Sequence, residues 1–463
     1  MKPIYSLSLK NGISLLLISM SVFLCVLDLF IVNIAIPSIR ENINANEAES
    51  QFIIVFYIIG YGAFLITGSK FGIKYGHKKV FVRSMLGFML FSFFCGIAQS
   101  PLQLNTSRLF QGITAAFMVP QGVALIADIF QGERERSKAL GIYGAVAGSA
   151  SVLGQVLGGI IPDMSMAFEA WRIIFLINVP LALATALLAA KLLHEIEPKK
   201  KETIQNSSQT ALIILLVLLI YQIIIAGEEG WNRSTISIAM LPLTGLIYFI
   251  YRQSKDYHAG KNVLISMKPF TYSSFGIAVT AAAAYCLVQD AYFFINASYF
   301  QEHLLFSSSK TGSLFAFQGI GYVIASLFGV KYLHHYQERF MALGLILMVA
   351  CLFLHIYFLN GPGVRSTTVA VILFFYGTGC GIVLPSMFTN AMHQLPPGVT
   401  SVASGIYLTV QQISIALGVS ILGRIYFNTS NGYHTATLSM IVLLGITFLI
   451  FGISMARTFR TIH

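Results

Sequence analysis

Two carboxylates, Asp28 and Asp290, each lie deep within a long apolar run, the first between Lys10 and Arg40 and the second between Lys268 and Glu302. A charged carboxylate is costly in hydrocarbon, so it faces a partner or a wet cavity, or it takes a proton. A group that trades its charge for a proton can carry that proton between two aqueous sides. Both acids are therefore candidate proton-coupling groups, with a structural ion pair or a hydrogen-bonded acid as the alternative. Arg108 opens another apolar run at a level its side chain shares with Asp28, so it can tune that acid, or it can reach outward to the headgroups. Gln289, Asn296, Gln411 and Gln412 are amides within apolar runs. They suit a cavity wall, although polar residues also join helices to one another.

Nothing else in the chain has the spacing of a catalytic or metal centre. There is no phosphate-binding Gly-x-x-x-x-Gly-Lys loop, no His-Glu-x-x-His and no Gly-x-Ser-x-Gly. The five cysteines are scattered through apolar runs without Cys-x-x-Cys spacing, which reads as small buried hydrophobes. We expect no enzyme activity, no metal and no cofactor beyond a coupling proton.

The elements that hold these residues must be membrane helices. The 463 residues are 56% hydrophobic and only 10% charged, against about 25% charged in a soluble domain. Runs of roughly 20 apolar residues, the length that crosses the hydrocarbon core, occur about fourteen times; the uncharged stretch between Arg365 and Arg424 holds two of them, divided by the turn Leu395-Pro396-Pro397-Gly398, and one more follows. No cleavable signal peptide is expected. With fourteen spans the Lys and Arg residues divide 22 to 6 between the two sides, leaving Arg108 inside a span. By the positive-inside rule both termini are then cytoplasmic, and Trp171 and Trp231 are expected at the outer interface. The net charge of +11 is thus a topology signal. Clusters between apolar runs make no continuous patch for nucleic acid.

The chain repeats itself. Phe71–His77 (FGIKYGH) recurs as Phe328–His334 (FGVKYLH), and Ala139–Tyr143 recurs as Ala403–Tyr407, followed at matching offsets by Gly154 and Gly159 or by Gly418 and Gly423. Two matches in the same order indicate a duplicated unit in parallel orientation, which places a substrate site between the halves near the bilayer midplane. The expected division is a six-helix bundle over 1–193, a linker with two inserted helices over 194–268, and a second six-helix bundle over 269–463.

At this point the chain resembles the fourteen-helix drug:proton antiporters of the major facilitator superfamily. Leu27–Pro37 looks like the first-helix signature of that branch, with Phe30 where threonine is usual and with Asn33 inside it. Arg108-Leu109-Phe110-Gln111-Gly112 is similar to the fourth-helix motif, and Trp171–Pro180 to the stretch entering helix six. The loop carrying Gly72, Lys74 and Gly76 is similar to the Gly-rich basic loop after helix two, with Ser69 for its first glycine and Ile73 for its aspartate. In the fifth-helix motif Gln155 stands where proline is usual, followed by Gly158 and Gly159.

The resemblance implies an all-α integral membrane protein of the major facilitator fold, working by alternating access in the cell membrane as a monomer on a small-molecule substrate. It implies Asp28 with Arg108 as a coupling pair, to which Asp290, outside the family's motifs, is added by its depth in its run. Asn33 and Gln111 join the four amides as cavity candidates, and the basic loop with the helix-five glycines and Gln155 are gating and packing positions. The expected activity is proton-coupled efflux of lipophilic or cationic compounds. The alternatives are an exporter or importer of one metabolite, such as a siderophore or an amino acid, and a membrane sensor or enzyme on the same fold.

Overall fold

The computed structural model describes residues 9–165, 168–194, 206–229, 233–261, 263–332, 337–359, 363–393, 395 and 397–462. Among these the chain is helical throughout. In order the helices are α1 (Leu9–Asn42), α2 (Glu47–Tyr75), α3 (His77–Ile97), α4 (Pro101–Ile129), α5 (Glu133–Ile160), α6 (Ile173–Leu176), α7 (Asn178–Leu192), α8 (Asn206–Glu229), α9 (Arg233–His258), α10 (Ser273–Glu302), α11 (Ser308–Tyr332), α12 (Gln337–Phe358), α13 (Ser366–His393), α14 (Pro397–Asn428) and α15 (Gly432–Ile462). The short α6 runs into α7 across Ile177, so the two form one rod. Twelve described segments are long and apolar enough to span a membrane; α8, with a shorter apolar stretch at Ser207–Gln222, and α11 complete the fourteen rods. Pro396 and Trp231 lie outside the described residues.

Local chemistry sets the sharp turns between rods. Asn46 caps α2 by accepting from the Glu49 amide while Glu49 closes a capping box, and Ser100 caps α4 ahead of Pro101. Gly76 ends α2 with φ +94°, a conformation that a side chain resists. One turn earlier, a Cβ on Gly72 would lie 1.8 Å from Gln121 Oε1, an atom that is 2.8 Å from His77 Nδ1. Those two glycines let α2 fold back over the end of α4, while Lys74 stays exposed in the turn.

The packing shows the duplication in the backbone itself. A Cβ on Gly112 of α4 would lie 2.0 Å from the Tyr57 carbonyl of α2, and one on Gly377 of α13 would lie 2.0 Å from the Gln318 carbonyl of α11. Gly154 of α5 faces the Leu27 carbonyl of α1 as Gly418 of α14 faces the Leu287 carbonyl of α10. Close backbone approach through glycine is how membrane helices pack tightly. These contacts set the register: Gln111 corresponds to Tyr376, Arg108 to Leu373, and Asp28 to Val288. Across the molecule α5 packs on α11 and α14 on α2, and the inserted α8 covers the α2–α14 seam.

Candidate functional site

Asp28 is fully buried and sits at the centre of a polar cluster within the first bundle. Arg108 Nη1 pairs with Asp28 Oδ2 and also donates to Gln111 Oε1 at 2.7 Å. Gln111 Nε2 and Asn178 Nδ2 donate to Asp28 Oδ1 at 3.0 and 2.9 Å, and both reach Ser92 Oγ. Arg108 Nε donates to the Ile53 carbonyl, and its guanidinium lies 4.2 Å over the Tyr57 ring. One acid thus accepts three charge-assisted or amide bonds, the arrangement that a buried ion pair needs to offset its desolvation. Five helices supply it: α1, α3, α4 and α7 with polar side chains, and α2 with the Ile53 carbonyl and the Tyr57 ring. Sequence reasoning does not single out Ser92 or Asn178; Asn178 lies within a family-like stretch, while Ser92 gives no signal.

A separate cavity of about 330 Å³ lies between the halves, against the α5–α11 seam. Val26 and Phe30 of α1 line it, two residues to either side of Asp28, together with Gly144, Gly148, Ser151 and Gln155 of α5. The second bundle contributes Tyr285, Val288, Gln289 and Phe293 of α10, Gln318 and Tyr322 of α11, and Tyr376 and Cys380 of α13. None of the lining residues carries a charge. The Oε1 atoms of Gln155 and Gln318 and the Tyr376 hydroxyl are buried without a hydrogen-bond partner among the described residues. A buried polar atom left in that state costs about 1–3 kcal/mol, so a ligand that supplies partners gains by the same amount.

This placement separates the sequence-derived candidates. Gln289 and Gln155 reach the cavity. Gln111 instead belongs to the Asp28 cluster. Asn33 and Asn296 turn back on their own helices, donating to the Leu29 and Tyr292 carbonyls, and Asn296 also accepts from Tyr433 at 2.8 Å. Gln412 fills the gap opposite Gly62 between α2 and α14, and neither it nor Gln411 is in the lining. Asp290 is buried one residue from Gln289, with both carboxylate oxygens unpartnered among the described residues, and it does not line the cavity. Neither acid lines the cavity: Asp28 is paired with Arg108, and Asp290 is absent from the lining. Trp171 is packed inside the bundle at the start of the α6–α7 rod. It is 1% exposed, with the Arg172 guanidinium 4.6 Å over its ring.

One face of the molecule is sealed. At the distal face, which holds the ends of α1, α5 and α10, Arg40 pairs with Glu302 at 3.1 Å and Gln301 donates to the Ile34 carbonyl. There too, the Ser309 amide donates to Asp163 at 2.7 Å. A Cβ on Gly159 would lie 2.4 Å from the Ser308 carbonyl, and Gly158 is equally tight against Ile31. Toward the opposite face α5 opens out, from buried Gln155 and Ser151 through half-buried Gly148 to Gly144, where an added Cβ would meet nothing within 4 Å. The cavity is thus closed distally and accessible from the face that carries the α2–α3 turn.

The comparisons with known proteins agree with this architecture. The probable actinorhodin transporter of Streptomyces coelicolor is 28% identical over 420 residues, 89% of this chain and 72% of that protein. The puromycin resistance protein of Streptomyces alboniger is 28% identical over 418 residues, covering 89% and 80%. A solved bacterial homologue of the human lysosomal transporter Spinster, inward-facing and unoccupied, superposes with a TM-score of 0.68 at 15% identity, over 98% of this chain and 99% of that one. The family description Major Facilitator Superfamily matches residues 18–419 and 273–460, and with a transporter's fold and a cavity between its two bundles the chain belongs to that superfamily.

Proposed function

We propose that this protein exports lipophilic compounds of the antibiotic or drug class across the cytoplasmic membrane in exchange for protons, with both termini in the cytoplasm. The observation that carries the reading is the cavity: uncharged, rich in aromatic faces, and offering unpartnered amide oxygens at Gln155 and Gln318. Such a wall favours a neutral, flat molecule with hydroxyl or amide donors over a permanent cation, which would find no carboxylate there. Relatives named for antibiotic transport and resistance support the drug class and the outward direction. Asp28 is the proposed proton site. Protonation would release Arg108, and the same helix presents Val26 and Phe30 to the substrate, so occupancy and proton binding act on one rod.

Purified protein in liposomes, with an imposed pH gradient, tests this reading. Neutral chloramphenicol is expected to move against its gradient with counterflow of protons, and ethidium to move poorly. Transport of ethidium alone would overturn the neutral-substrate assignment, and flux without proton movement would make the protein a facilitator. Replacing Gln155 and Gln318 together by Leu should reduce chloramphenicol transport by about tenfold or more, one hydrogen bond's worth at about 1.4 kcal/mol. Orientation has its own check. Cysteines at Arg233 and Lys261, both exposed at the two ends of α9, should react with impermeant reagents from outside and from the cytoplasm respectively. Reaction of both from one side would reject the fourteen-span topology.

A further inference from the structure

The second bundle contains a polar cluster built on the helices that correspond to those of the Asp28 cluster, but from different positions and different chemistry. In the first bundle the first, third, fourth and sixth rods converge on Asp28. In the second, the corresponding α12, α10, α13 and α15 supply His355, its hydrogen-bond partner Tyr292, Tyr376 stacked on Tyr292, and Tyr433, which donates to Asn296 one turn along α10. His355 is 1% exposed inside the α12 span. Its Nδ1 is 2.7 Å from the Cys351 carbonyl and its Nε2 is 3.1 Å from the Tyr292 hydroxyl. Tyr292 stacks on Tyr376 with ring centroids 3.8 Å apart and planes within 9°. Tyr376 holds the position of Gln111 in the repeat, lines the cavity, and keeps its hydroxyl without a partner among the described residues. One turn along α10, Asn296 donates to the Tyr292 carbonyl and accepts from Tyr433 of α15.

From this geometry we infer that His355 is a second proton-carrying residue of the transport cycle, neutral in the distally sealed state and protonated in the opposite one, with its charge read at the cavity wall through Tyr292 and Tyr376. The inference rests on the transport reading above for its role in the cycle, but not for its chemistry. With Nδ1–H donating to Cys351, Nε2 is the acceptor and Tyr292 the donor. A proton arriving from the aqueous phase forms a new N–H bond at Nε2. The hydrogen bond to Tyr292 then reverses, the Tyr292 hydroxyl becomes acceptor, and its own hydrogen must find a new direction. Tyr292 cannot turn without disturbing the ring stacked on it, and that ring is the wall of the substrate cavity. The groups facing His355 are Tyr292 from α10, Tyr376 from α13 at 6.5 Å and Cys351 of its own helix, with Tyr433 of α15 reaching the cluster through Asn296. Asp290 is the acid nearest in sequence on α10, and no carboxylate is among the contacts described for His355. A buried imidazole without a fixed counter-charge is held neutral until its surroundings change, which ties its protonation to conformation. Histidine is also the side chain whose ordinary titration range falls between pH 5 and 8.

The test uses the full-length protein with ring-labelled histidine in detergent, the His355 signal being identified by its loss in His355→Gln. One sample is left free, and one is locked in the sealed state by a short thiol crosslinker between Arg40→Cys and Glu302→Cys. At pH 6 the His355 signal is expected to be neutral in the locked sample and shifted toward the protonated form in the free one, with Tyr292→Phe changing the shift. Identical neutral signals in both samples at every pH from 5 to 8 would overturn the proposal. In liposomes, the pH profile of chloramphenicol transport should be altered in that window in His355→Gln, with the proton exchange at Asp28 retained. A single group changes its protonated fraction by up to about tenfold per pH unit, so the loss of one titrating group is readily told from the wild-type curve. If wild-type protein moves chloramphenicol without protons, the coupling reading fails while the labelled-histidine experiment still decides on His355. If wild type is proton-coupled and His355→Gln keeps the full pH profile, the histidine proposal fails alone.

Discussion

Arg108→Ala is expected to lower stability by about 3–5 kcal/mol and to eliminate transport, whereas the double variant Asp28→Val with Arg108→Leu should recover most of the stability and none of the transport. The single change leaves Asp28 fully buried with its counter-charge gone, and only Gln111 and Asn178 remain to satisfy it. The isosteric Asp28→Asn fails in the mirror sense, leaving the guanidinium uncompensated over the Tyr57 ring. The double variant is designed from the protein's own repeat. Val288 and Leu373 occupy the corresponding places in the second bundle, where both are fully buried, Val288 on the cavity wall. Buried ion pairs can be exchanged for apolar residues of similar volume at little cost or with a gain. Gln111, Ser92 and Asn178 still bond one another without the pair. Thermal unfolding in detergent, read by a thiol-reactive dye, gives the stability. A double variant no more stable than Arg108→Ala would mean that the pair is held for packing around the guanidinium and not for charge compensation.

What is legible in the sequence is what lipid enforces. Long uncharged runs and the glycines of Phe71–His77 and Ala139–Gly159 record spans and close helix crossings, because backbone groups must be satisfied within each helix and only small residues let helices touch. The Asp28–Arg108 pairing is legible too, since two opposite charges at one depth in hydrocarbon have few other outcomes. The cavity wall is not. With 36 Phe and 21 Tyr in the chain, nothing in the spacing marks Tyr285, Tyr322 and Tyr376 out from aromatic residues that face lipid. Choosing amides by their depth or by motif finds Gln289 but also takes Asn296 and Asn33, which bond to their own helices one turn back. Whether an amide faces a cavity or its own backbone depends on the rotation of each rod against its neighbours, which a single sequence does not encode. His355 does carry a signal, one that a search confined to acids and amides passes over. A lone histidine within the apolar run Met341–Phe358 is also costly there, and by the same reasoning it marks a functional candidate.

The distal seal supplies the second large effect. Gly159→Ala is expected to push the protein out of the sealed state, because the new Cβ would lie 2.4 Å from the Ser308 carbonyl and 2.8 Å from the Gly312 Cα, backbone atoms that cannot swing aside. Overpacking of this kind costs about 1–3 kcal/mol, and since the clash exists only while α5 and α11 touch at this end, the cost falls on one state. That moves the balance between the two facing states by roughly 5–150-fold. Gly141, with open space around it and outside the cavity lining, is the control: alanine there should change nothing. The readout is a cysteine at Ser38, in the distal cleft beside Arg40 and Glu302. Its reaction with an impermeant thiol reagent from the distal side should quicken in the Gly159→Ala background and slow when Arg40→Cys and Glu302→Cys are crosslinked. Transport should fall in both cases, since alternating access needs each state in turn, and in the crosslinked protein it should return on cleavage of the linker. Unchanged Ser38 labelling in Gly159→Ala would show that the helices separate elsewhere, and the seal would then have to be sought in the Arg40–Glu302 and Asp163–Ser309 links alone.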